Sequence, residues 1–235
     1  MTAVAEGTAA TTSGDVALER ATKWANDYAA RLTERAEHRL AELAGHSNGN
    51  GVRPRIGEPT TGDPTTGFYV GFDVVATSPI QFGGPPPYQP SKVIAAGEQA
   101  FLIAFIFVNP TVNIPLGWAI PATVQLGGRT WRMTLDQGNL TTGGVLPQQV
   151  QTATFTSPAA TITPVIFSLA TPNPGPDPAL IEANVTVDIV DPAQPYAAFA
   201  TNFLDIDNDP GFLGVPASAA GFRHELPNRY LIYSE

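Results

Sequence analysis

The sequence predicts a mainly β protein, an antiparallel β-sandwich preceded by one long amphipathic α-helix. Three observations carry that expectation. The first 53 residues contain no proline, and the remaining 182 contain all 23. Proline is excluded from helix interiors and from central strands, so its distribution separates a helix-compatible segment from a turn-punctuated one. Within the first segment, apolar or small residues recur at a mean step close to 3.6, and beyond it come about eight to ten short apolar runs bounded by turn residues. The first pattern is that of one helix face and the second that of a sandwich or barrel. Immunoglobulin-like and jelly-roll arrangements both fit.

Residues 1–14 are small and polar and are expected to be disordered, with the helical arm over 15–45. Thr12-Ser13-Gly14-Asp15 reads as its start, a hydroxyl three residues ahead of a carboxylate. Leu18, Ala21, Ala25, Tyr28, Leu32, Ala36, Leu40 and Leu43 form the stripe, and Glu19–Lys23 and Asp27–Arg31 are acid-first pairs four apart. A strict heptad fails, because steps of seven from Leu18 reach Arg39 and from Ala21 reach Arg35. The arm is therefore a single amphipathic face and not a leucine zipper. That face can dock on the protein's own β domain or on a partner. The polar face is balanced in sign, which disfavours a membrane-surface role.

Gly45 and the Ser47-to-Gly51 run end the helix, and residues 46–67 read as a flexible Gly/Pro/Thr linker. The β domain is expected over 68–235. Phe68–Ala76 alternates as a strand. Gly83–Pro90 (Gly-Gly-Pro-Pro-Pro-Tyr-Gln-Pro) must be an exposed loop, and Ala100–Val108, apolar at every position, a central strand covered on both faces. Ala122–Leu126, Gly127-Gly128 and Arg129–Leu135 read as a hairpin about a two-residue turn, with Trp131 and Met133 inward and Thr130 and Arg132 outward. Gln149–Thr156, Thr161–Leu169, Ala183–Val190 and Arg229–Ser234 complete the strands. Pro164 places the second of these at an edge or a bulge, and Thr171–Pro178 is a stiff loop.

The chain lacks cysteine, which excludes disulfides and thiolate metal sites. Its formal charge is −9. Residues 1–55 hold seven basic and seven acidic groups, so the other five basic and fourteen acidic groups put the whole −9 on residues 56–235. Such a surface repels phosphate, so no nucleic-acid partner is expected. No segment is long and apolar enough for membrane insertion. No signal peptide is recognised at the N-terminus, and the expected location is cytoplasmic or within a protein particle.

Asp205-Ile206-Asp207-Asn208-Asp209 is the one dense cluster of hard oxygen ligands, and Asp205, Asp207 and Asp209 are the candidate metal ligands, for Ca²⁺. The run resembles the opening of an EF-hand loop, but Pro210 and Pro216 stand where that loop has its glycine and its bidentate glutamate. It is also similar to the acidic inter-domain linker of cadherins. The alternative is a solvated acidic turn. No other cofactor is expected. His38, His46 and His224 are scattered, Asp188 and Asp191 make no catalytic pair, and no phosphate-cradling motif occurs. No catalytic residue is assigned. Candidate partner-binding residues are Leu18, Tyr28, Leu32, Leu40 and Leu43 on the arm and Tyr88 in the proline loop.

The expected role is a non-enzymatic structural or interaction subunit of a larger assembly. Its arm would serve self-association or docking on a protein partner, with a homo-oligomer the expectation. One alternative is a ligand-binding module in which Ca²⁺ at the acidic turn supports recognition of a glycan or protein. A second is a hydrolase whose carboxylates meet only in three dimensions.

Overall fold

The structure is a computed structural model that describes residues 13–45, 72–108, 110, 121–190, 197–199, 201–203 and 228–234. Two β-sheets pack face to face, and a helix, α1 (Ser13–Gly45), covers the outer face of one of them. The expected fold class is thus the observed one: a mainly β sandwich preceded by one long helix.

The first sheet is built on β4 (Ala100–Val108). On one side lie β1 (Phe72–Thr77) and β2 (Ile80–Gln81), two parts of one run interrupted at Ser78 and Pro79. On the other side lies β8 (Ile162–Leu169), paired along nearly the whole length of β4. β11 (Thr201–Phe203) adds to β1 in parallel. Pro164 sits opposite Phe105 on β8, whose one strand partner among the described residues is β4, so its missing N–H leaves no central ladder broken.

The second sheet is centred on β9 (Ala179–Ile189). It pairs on one side with β5 (Thr130–Asn139) and on the other with β12 (Asn228–Tyr233) and β10 (Ala197–Phe199). Beyond β5 lie β6 (Gly144–Val145) and β7 (Gln149–Thr154), and beyond β12 lies β3 (Val93–Ala95), in parallel. The pairings of β11 and β3 are thus parallel additions to an otherwise antiparallel pattern.

The two-residue period of β4 divides the interior into two cores. Ala100, Leu102, Ala104, Ile106 and Val108 face the second sheet and meet Trp131, Met133, Leu135, Ile181, Val185, Val187, Tyr230 and Ile232. Phe101, Ile103, Phe105 and Phe107 face the helix and meet Ala17, Ala21, Ala25, Tyr28, Ala29 and Leu32. The alanines bring the helix axis close to the sheet. Tyr28 and Leu32 fill the space at its middle, the Tyr28 ring 5.5 Å from that of Phe105 and stacked at 4.8 Å on Trp24. Arg20 Nη1 ties the helix to the sheet by donating 2.8 Å to the Phe82 carbonyl.

Two local expectations fail. Ala122–Leu126 is not a hairpin strand but a short helix, α2, entered at Pro121, whose carbonyl accepts from the Val124 and Gln125 amides. Gly128 takes a left-handed φ of 75° just after it. A Gly-Gly step closes a tight hairpin or ends a helix equally well. The competition for β5 decides the matter: its two edges are taken by β7 and β9, each with a longer run of partners. The inward and outward assignment of β5 survives, with Trp131 and Met133 buried and Arg132 exposed. The second failure is on the arm, where Lys23 pairs with Asp27 (2.6 Å) and the Arg31 guanidinium lies 5.0 Å over the Tyr28 ring.

Candidate interaction face

The sheets differ in what covers their outer surfaces. Among the described residues, α1 lies on the first, and nothing lies on the second. Alternation along β5 and β9 sends Leu135, Val185 and Val187 inward. It sends Thr130, Arg132, Thr134 and Asp136 outward beside Glu182, Asn184, Thr186 and Asp188. β7 contributes Val150, Thr152 and Thr154 to the same face, β6 contributes Val145 beside Gly138, and β12 contributes Arg229 and Leu231. Leu231 stands between Leu180 and Val93 in one cross-strand row.

Four of the five described charges of this face pair with each other. Arg132 bonds Asp188 through both Nε (3.2 Å) and Nη2 (2.5 Å), a forked pairing that holds the guanidinium above its ordinary pKa. Arg229 Nε donates 3.0 Å to Glu182. Asp136 accepts 2.7 Å from the Gln148 amide. Thr134 and Thr186 lie directly opposite each other between the two ion pairs. Against this polar field several apolar side chains are exposed: Val93 (51%), Val150 (52%), Val145 (88%) and Leu231 (36%). The face thus offers hydroxyls, paired charges and scattered apolar points on a broad, strand-stiffened surface. Among the described residues no group of three His, Asp or Glu could hold a metal.

The sequence-based candidates fall elsewhere. Asp205, Asp207 and Asp209 lie outside the described residues, as do His46, His224 and Asp191. Leu40 and Leu43 belong to the helical backbone of α1, but their side chains lie outside the described ones, like that of His38. Tyr28 and Leu32 are buried against the protein's own first sheet, so in this fold their surface is spent internally. Leu18 is turned out of the buried stripe, 47% exposed, because one turn back from Ala21 the inward position falls at Ala17. Tyr88 is half-buried, its ring 4.8 Å from that of Phe82, with exposed prolines 85, 86 and 87 beside it. The outward direction of Thr130 and Arg132 was readable from alternation. That Asp188 stands opposite Arg132 was not, because it depends on strand register.

No protein-family model and no curated protein matches the chain. Among solved structures, one that matches is the CARDB domain of a Pyrococcus furiosus protein, crystallised in complex with di-metal ions. It is 11% identical and aligns over 56% of this chain and 89% of that one, with a TM-score of 0.25. At that TM-score the likeness carries no argument about function.

Proposed function

We propose that this chain is a non-enzymatic structural or interaction subunit, and that it docks on a protein partner through the outer face of its second sheet. The observation that carries this reading is the asymmetry of the sandwich. The arm covers the apolar outer face of the first sheet, whereas the second leaves Val93, Val145, Val150 and Leu231 exposed around paired arginines and threonines. A surface of exposed apolar points, hydroxyls and charges paired with each other can meet a protein partner without leaving a lone charge buried. The arm then has a structural part in the subunit, since its stripe through Leu32 completes the second core.

The absence of cysteine permits a clean test. A photo-crosslinker is attached at Thr152→Cys on the face and, as a control, at Gln89→Cys in the proline loop. Protein adducts in native extract from the face position alone support the reading. No adduct, or equal adducts from both positions, sinks it.

A further inference from the structure

We infer that the partner at this face is a second copy of the chain, packed sheet against sheet. The inference rests on the reading above and names its occupant from area, charge and chemistry.

Area comes first. β9 has 11 residues and so runs about 36 Å. Five strand positions lie side by side, for a width of about 24 Å. The other strands are shorter, from 2 residues in β6 and 3 in β3 to 10 in β5, so the flat footprint is about 650 Å², within the ~600–1,000 Å² per partner of standard stable interfaces. Two twisted sheets can pack face to face at a small angle.

Charge points to a like surface. Among the described residues the face carries five charged groups, Arg132, Arg229, Asp136, Glu182 and Asp188, two positive and three negative, for a net of −1 against −9 for the chain. Glu182 and Asp188 are each held by an arginine in the plane of the sheet. A face built to recruit a basic partner would leave those carboxylates unpaired. This one pairs four of its five described charges and leaves a net of only −1 where a second, equally acidic molecule would have to approach.

Hydrogen-bonding chemistry agrees. Thr130, Thr134, Thr152, Thr154 and Thr186 carry hydroxyls, and Asn184 an amide, and each of these groups both donates and accepts. Such groups can pair with their own kind, which a two-fold contact requires because the same patch is used twice. Val93, Val145, Val150 and Leu231 supply the apolar area at the margins.

The test uses the full-length chain in light scattering over a dilution series. Thr186→Arg disrupts the centre of the face, and Gln89→Arg in the exposed loop is the control. Both are outward positions, and an unchanged thermal midpoint at high dilution confirms that each variant folds. A dimer whose dissociation constant rises at least about tenfold in Thr186→Arg and not in Gln89→Arg is the expected result. A second pair of variants, Thr134→Arg/Thr186→Arg and Thr134→Glu/Thr186→Glu, is expected to be monomeric apart and dimeric when mixed. A dimer indifferent to Thr186→Arg overturns the inference. A monomer at every concentration also overturns it. In that case, face-specific crosslinks to another protein leave the proposed function standing with a different partner. A monomer whose face gives no crosslink overturns both, and assigns the face to cover by the chain itself.

Discussion

The side-chain amide of Gln137 on β5 donates 2.6 Å to the phenol oxygen of Tyr230 on β12, reaching over the intervening β9, where Ala183 leaves room. Both residues are buried between the sheets. In the same cross-strand row as Gln137 and Ala183, Asn228 Nδ2 donates 2.8 Å to the Thr77 carbonyl and ties the second sheet to the first. These bonds satisfy polar groups in an otherwise apolar core, and such groups are costly when left alone.

Removing the phenol oxygen therefore strands the amide. Tyr230→Phe is expected to lose about 1–3 kcal/mol in urea unfolding. Gln137→Leu with Tyr230→Phe should lose less than the sum of the two single changes, because no orphan remains. Strict additivity would show that the bond contributes nothing.

The same phenol gives stability a pH dependence. Burial pushes the Tyr230 pKa well above its ordinary 10.0, only partly opposed by the hydrogen bond from Gln137. The folded pKa thus exceeds the unfolded one. Below pH 10 both states keep the proton and the contribution is complete. Above it the unfolded state releases the proton first, and stability falls by about 1.4 kcal/mol per pH unit until the folded phenol ionises. The difference between wild type and Tyr230→Phe, measured by urea midpoints at pH 9, 10 and 11, should shrink as pH rises. A constant difference would contradict the assignment.

On the arm, burial divides neighbours on one helix. Leu32→Ala is expected to lose about 2–4 kcal/mol through the cavity left against the first sheet. Ala25→Leu should lose about 1–3 kcal/mol by overpacking, since Ala25 is fully enclosed. Leu18→Ala should stay within about 0.5 kcal/mol. Equal effects at positions 18 and 32 in thermal unfolding would show that the arm is not docked as described.

The open side of the sandwich is closed by side chains in place of strands. From β7, Gln149 Nε2 donates 2.7 Å to the Ser168 carbonyl and Gln151 Nε2 donates to that of Ile166, both on β8. These glutamines occupy acceptors that an edge strand would otherwise offer to another chain. Gln149→Ala/Gln151→Ala should lose about 1–2 kcal/mol and aggregate sooner in turbidity on heating. Unchanged turbidity would remove the edge-capping role.

Much of the architecture follows from local order in the chain. The proline boundary after residue 53, the stripe through Ala21, Ala25, Tyr28 and Leu32 and the doubly apolar run Ala100–Val108 each state their element and its burial. Helix and strand periods are local properties, readable without a partner. At Ala122–Leu126 a Gly-Gly step and a few β-branched residues suit both a hairpin and a helix end. Only the competition of β7 and β9 for β5 resolves it. The destination of the arm was open for the same reason: an amphipathic face specifies that it will be buried, not against what. Likewise, alternation alone turns Arg132 outward, but register sets it opposite Asp188, and it takes both sheets and the helix to leave one outer face uncovered among the described residues. Pairing, register and cover are relations between residues far apart in the chain. The sequence by itself determined which surfaces must be buried; the tertiary structure decided which of them found a partner within the molecule.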